Sequence, residues 1–200
     1  MLHTALLLSD GARIAAAALM PVGLLLLLGF WGVMLYNNLV LARNRTREAW
    51  SGIDVQLKRR SSLIPNLVES VRGYTRHEHE VFAEVSAARG ALAKASGPAA
   101  AAVADQTLTS ALGRLMAVAE AYPQLQAATN FRQLQSELSD TEEKIAYARQ
   151  FYNQNVLDYN TRIQSFPGNQ FASWFQFQPF DYFHAEESAK EEVKISFTEA

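Results

Sequence analysis

The stretch Ile14–Tyr36, IAAAALMPVGLLLLLGFWGVMLY, runs 23 residues without a charged side chain. As a helix it extends about 34 Å, more than the roughly 30 Å of a bilayer's hydrocarbon core. Trp31 and Tyr36 stand near its far end, where amphipathic rings favour the membrane interface. Pro21 is no obstacle, since membrane helices tolerate proline better than soluble ones. The competing reading is a cleaved signal peptide, but its apolar part usually spans only ~7–15 residues. No small-x-small cleavage pattern separates the run from the arginines that follow, so a retained anchor is expected. Arg13 precedes the run, whereas Arg43, Arg45 and Arg47 follow it closely, with Lys58, Arg59 and Arg60 behind them. By the positive-inside rule, residues 1–13 form a short non-cytoplasmic N-terminus, residues 14–36 cross the membrane and the rest is cytoplasmic.

The formal net charge of −2 hides an uneven distribution. Residues 43–60 carry six basic side chains against Glu48 and Asp54, and residues 181–200 carry six acidic ones against Lys190 and Lys194. One short basic patch beside a membrane suits anionic headgroups, and secondarily an acidic partner or the acidic tail of another copy. It lacks the broad basic face of a nucleic-acid binder, and no nucleic-acid partner is expected. The absence of cysteine excludes disulfides, thiolate metal sites and a cysteine nucleophile.

From Trp50 onward, Ile53, Leu57, Arg60, Ile64, Leu67, Val71, Tyr74, Glu78, Val81, Val85, Ala88 and Leu92 recur at alternating steps of three and four. That spacing predicts one long helix with a heptad seam, ended by Gly90 and then Ser96–Pro98. A second helix is expected over about 105–121. A third is expected over 131–164, with Asn130 as its N-cap and Tyr152, Asn155 and Tyr159 on one stripe. The predicted class is all-α: an N-terminal transmembrane helix, then a long antiparallel three- to four-helix bundle over 37–165. An aromatic, then acidic, extended tail follows over 166–200. The first helix outreaches its neighbours, so its overhanging seam needs a cover, such as another copy or a partner. The tail's aromatics are expected to fold back and plug the bundle, with docking on another chain as the sharper alternative.

Candidate chemistry is sparse. His77 and His79, two residues apart, do not share a helix face and cannot grip one ion from a regular helix. Neither a metal, a cofactor nor a catalytic residue is expected, and the chain does not read as an enzyme. Glu142 and Glu143 read as helix surface. Arg60 and Glu78 interrupt the seam and read as its exposed edge, or else as buried polar partners of another helix. Asn155 reads as a register device or an exposed edge. Pro65 breaks no apolar phase, which favours a helix that continues through it and frees the Ser61 carbonyl, over a restart capped by Ser62.

Residues 36–74, YNNLVLARNRTREAWSGIDVQLKRRSSLIPNLVESVRGY, resemble the start of a LemA-family protein. So do EAYPQL at 120–125, NFRQLQSELSDTEEKIAYARQFYNQNV at 130–156, YNTRIQSFPGN at 159–169 and the ending FASWFQFQPFDYF. The resemblance implies a bacterial inner-membrane protein, single-pass, with its N-terminus outside and a helical domain inside. It implies no established activity. It does imply neighbours: a membrane zinc metallopeptidase or a TPM-domain protein. Trp50, Asp54, Arg59, Pro65, Asn66 and Glu69 lie in the most family-like stretch and are expected to serve bundle geometry or contact. The expected function is a membrane-anchored scaffold or adaptor that self-assembles as a homo-oligomer and tethers partners in membrane protein quality control. A small-molecule or lipid-binding sensor is the alternative.

Overall fold

The computed structural model describes residues 2–75 and 78–183, with side chains from Met20 onward. The apolar run does not stop at its expected border. It lies within one helix, α1 (Leu2–Arg72), that continues unbroken into the bundle. Leu24–Leu28, Phe30, Trp31, Val33 and Met34 stay exposed, so nothing in the described chain covers this face, and the protein is membrane-associated through it.

Most of the seam is buried as expected, with Tyr74 exposed and Trp50, Glu78 and Val81 half-buried, but it lies on two helices. α1 ends at Arg72, where the Tyr74 and Thr75 amides both turn back to the Val71 carbonyl, and α2 (His79–Lys94) starts anew. The single helix expected from Trp50 to Leu92 is therefore corrected. Val85, Ala88 and Leu92 keep the phase of the seam because α2 folds back onto α1 and buries the same kind of stripe. Antiparallel alignment shows in the Arg72 guanidinium over the Phe82 ring at 5.3 Å and in Arg89 at the level of Ser61. α3 (Pro98–Glu120) begins earlier than expected. Pro98 occupies its first turn behind Gly97 at φ 84°, and Ala101, Ala102 and Ala104 pack in the core. A single turn, α4 (Pro123–Ala127), leads into α5 (Thr129–Gln164). Ala128 stands at the N-cap of α5 with no side-chain cap, and Asn130 lies exposed inside the first turn.

α2 and α3 are short, so the bundle has two storeys. The storey away from the apolar run holds α1, α2, α3 and α5. Below the level of Trp50 only α1 and α5 continue, and there the chain covers itself. After α5, the short helix α6 (Gly168–Trp174), which sequence reasoning missed, reverses direction. A Cβ on Gly168 would collide with the Arg162 carbonyl oxygen, so only glycine permits this turn. Leu39, Ala42, Tyr159, Ile163, Ala172 and Phe177 form a second core under α6. The overhanging seam is thus covered within the chain itself, as the plug reading of the tail expects.

Helix α1 runs through Pro65 without restarting. The proline leaves the Ser61 carbonyl without its intrahelical donor, and Arg89 of α2 supplies one, Nε to O at 3.0 Å. Arg89→Ala is therefore expected to cost about 1 kcal/mol at this exposed bond, and to cost nothing when Pro65→Ala restores the helical N–H. A denaturation double-mutant cycle reads the difference; equal costs in both backgrounds would refute the link.

Candidate functional site

Two connected polar systems organise the bundle. The first centres on Arg60, which is 2% exposed. Its Nη1 donates to Asp105 Oδ1 at 2.6 Å and to Thr109 Oγ1 at 3.0 Å on α3, and its Nη2 donates to Glu142 Oε1 at 2.7 Å on α5. The exposed-edge reading of Arg60 is corrected, because the long side chain crosses the core and ties three helices together. Glu142 likewise turns its carboxylate inward instead of serving only as surface. Asp105, itself buried, also meets Arg149 at 3.4 Å.

The second system holds the tail. Tyr152 and Asn153 form a pair on α5, and Tyr159 and Asn160 repeat it one heptad later. Asn160 accepts the Phe180 amide at 3.0 Å and donates to the Phe180 carbonyl at 2.9 Å. Asn153 does the same to Phe183, at 2.9 and 3.1 Å. The Tyr159 hydroxyl donates to the Gln178 carbonyl at 2.9 Å, and that of Tyr152 to Asp181 at 2.8 Å. Seven helical residues rise about 10.5 Å and three extended residues span about 10 Å, so the two repeats stay in step. Each asparagine amide mimics a neighbouring strand, reading backbone and not side chain. Phe177, Phe180 and Phe183, also three apart, turn toward the bundle. Phe183 meets Trp50 at 6.2 Å between ring centroids and lies under the Arg149 guanidinium at 5.0 Å, which joins the two systems.

The residues singled out from sequence do not gather at one place. Arg43 lies over the Phe177 ring at 4.9 Å, Arg45 and Arg47 are exposed, Lys58 pairs with Asp54 at 2.6 Å and Arg59 with Asp140 at 3.3 Å. The Lys144 hydrogen bond, with Arg59 nearby, holds the Asp140 carboxyl below its ordinary value. Trp50 is half-buried against Tyr152. Pro65, Asn66 and Glu69 are exposed at the distal end, where Asn66 and Glu69 face Asn130, Gln133 and Glu137 across a shallow groove. Asn155 is half-exposed; its side-chain amide donates to the Phe151 carbonyl of its own helix, and its backbone carbonyl accepts the Thr46 hydroxyl of α1 at 3.2 Å. Glu78 precedes α2, His79 is exposed, and His77 and residues 193–197, VKISF, whose alternation reads like a strand, lie outside the described residues. Asp105, Arg149, Asn153 and Asn160 escaped sequence reasoning; the Tyr-Asn pair repeated at seven residues was the signal available.

On the side of α1 and α5 opposite the tail lies a groove of about 900 Å³. Tyr147 and Phe151 are exposed in it, between Arg45, Glu48, Glu143 and Lys144. Gln56 lines it with a buried Oε1 that has no hydrogen-bond partner among the described residues.

This architecture defines a membrane-associated helical-bundle protein that binds its own C-terminal peptide. The chain belongs to the LemA family, whose model matches residues 49–197. It is 30% identical over 194 residues to magnetosome protein MamQ 2 of Paramagnetospirillum magneticum, covering 83% of this chain and 71% of that one. Magnetosome protein MamQ of Magnetospirillum gryphiswaldense is 29% identical over 178 residues, covering 76% and 65%. Protein LemA of Metamycoplasma hominis is 26% identical over 161 residues, covering 80% and 74%.

Arg60→Met leaves the buried Asp105 with only the longer Arg149 contact and is expected to destabilise the bundle by about 3 kcal/mol, with Asp105→Asn added to it recovering part. A denaturant series on the detergent-solubilised chain checks this; a loss under about 1 kcal/mol would contradict the network's role. Asn160→Ala is expected to cost about 2 kcal/mol, for two lost bonds, and to speed amide exchange at Phe180. Burial, then the Asp181 carboxylate, push the Tyr152 phenol up to about 12, and burial also raises Tyr159 against the pull of Arg43 and Arg47. Because the folded value exceeds the unfolded ~10, the stabilisation is complete below about pH 10 and is lost as pH rises toward 12. Tail protection is expected to follow that window, with Tyr152→Phe flattening it.

Proposed function

We propose that the protein is a single-pass, membrane-anchored scaffold whose bundle works by binding, with no turnover of its own. The observation that carries this reading is the α1/α5 groove. Exposed aromatic side chains with a mixed-charge rim are the surface composition of protein contact sites, and the chain's own tail leaves this side open. The arginines at 43, 45 and 47 support a cytoplasmic bundle and a non-cytoplasmic N-terminus at a bacterial inner membrane. Anchoring confines the groove to the membrane plane and raises the effective concentration of any partner held there too. The proposed partners are further copies of the chain and a membrane protein of the metallopeptidase or TPM-domain kind, in membrane protein quality control.

Photoreactive side chains in place of Tyr147 and Phe151, activated in cells, test the groove. A discrete adduct of one mass, absent when the probe sits at exposed Ser51 and lost with Lys144→Glu, is the expected result. Adducts as abundant at Ser51 as at Tyr147 would overturn it. The unpartnered Gln56 Oε1 favours a second reading, in which the groove takes a small polar-headed ligand or lipid. That reading predicts a ligand-dependent rise in Tm that Gln56→Leu removes.

A further inference from the structure

From Ile163 to Phe180 the chain carries no charged side chain, an 18-residue interval that is the longest after the apolar run. The fold brings this interval beside the end of the apolar run. The Phe171 ring packs against Gly32 so closely that a Cβ there would stand 3.3 Å from it. Phe175 packs at a tilt against Tyr36 with ring centroids 4.7 Å apart, and Phe171 pairs with Trp174 at 5.5 Å. Gly32 and Tyr36 belong to the uncharged run, so α6 sits at the depth of its last turns, not beyond them. Arg43, eleven residues after Gly32 and about 16 Å further along the helix, meets Phe177, where the chain leaves this depth.

Around α6 several aromatic rings stay largely exposed even where one edge packs on α1. Phe166 is 82% exposed, Trp174 70% and Phe175 53%, with Trp31 of α1 at 50%. Large exposed rings clustered on one end of a bundle need a cover. Tryptophan and phenylalanine without charged neighbours suit the zone between headgroups and acyl chains. Continuity with the apolar face of α1 identifies that cover.

We propose that the α5–α6 corner is a second membrane contact, a wedge that inserts Phe166, Trp174 and Phe175 into the inner-leaflet interface beside α1. It rests on reading residues 14–36 as the membrane span. The aromatic belt at this end of the span is then built from two parts of the chain, with Trp31 and Tyr36 from α1 and the rest from the C-terminal corner. Two contacts fix the bundle's rotation about α1. The α1/α5 groove keeps one heading relative to the membrane plane, and the tail clamp at Asn153 and Asn160 secures the corner from the other side.

Quenching of tryptophan emission in the full chain tests the wedge. The chain is reconstituted in phosphatidylcholine–phosphatidylglycerol vesicles whose acyl chains are brominated near the glycerol end. The native chain is compared with Trp31→Phe and with Trp174→Phe, both exposed changes that leave the half-buried Trp50 in place. Trp174→Phe is expected to remove a lipid-quenchable share of emission comparable with that removed by Trp31→Phe. If Trp174→Phe removes emission quenched by aqueous iodide instead, the corner is in water and the wedge is overturned. If it removes emission that neither agent quenches, protein covers the corner, which also overturns it and points to a second copy. Trp31 separates this failure from failure of the span itself: were Trp31 emission blind to brominated lipid, the anchor reading would fall first.

Discussion

A single guanidinium holds the bundle in register. Apolar stripes on α1, α3 and α5 can slide past one another at modest cost, because one aliphatic contact replaces another. Arg60 cannot slide, since moving it by a turn would leave two carboxylates and a buried cation unpaired. Its partner Asp105 passes the constraint to Arg149, whose guanidinium covers Phe183 at the end of the clamped peptide. The alignment of the core and the seating of the tail therefore share one chain of charges.

The tail answers a geometric deficit. α2 and α3 cover only the distal storey of α1, and a helical pair alone leaves too much apolar surface in water below it. An extended peptide is a poor plug unless its unpaired backbone groups are satisfied. The paired asparagines and tyrosines of α5 solve that problem with side chains where a sheet would use backbone. The seat tolerates variation in the peptide's outward side chains and fixes the spacing of its inward phenylalanines.

The apolar helix, the seam and the extent of α5 were legible in the sequence because each keeps one simple pattern over many residues. The break between α1 and α2 was not. Folding back kept the three-and-four rhythm in phase, and Gly73 alone marks the turn in composition. α3 begins before its expected start because small alanines bury against close neighbours without announcing themselves as a core stripe. The buried charge was harder still. Periodicity flagged Arg60 as an interruption, but its meaning depends on Asp105 and Glu142, which sit 45 and 82 residues away. At the seam, Asn155 drew the eye, whereas Asn160, one position outside the stripe, reaches the tail. The LemA resemblance gave the family correctly and offered no geometry for either system.

Because α1 passes from the apolar run into the bundle without a joint, it is a lever. Between Tyr36 and Arg72 it rises about 54 Å. With residues 14–36 read as the proposed membrane span, a change of about 10° in its angle, the kind that a thicker or thinner bilayer imposes, would swing the distal end by roughly 9 Å sideways. Asn66, Glu69 and Asn130 ride at that end. On that reading, bilayer thickness would be translated into the lateral position of a polar surface far from any lipid.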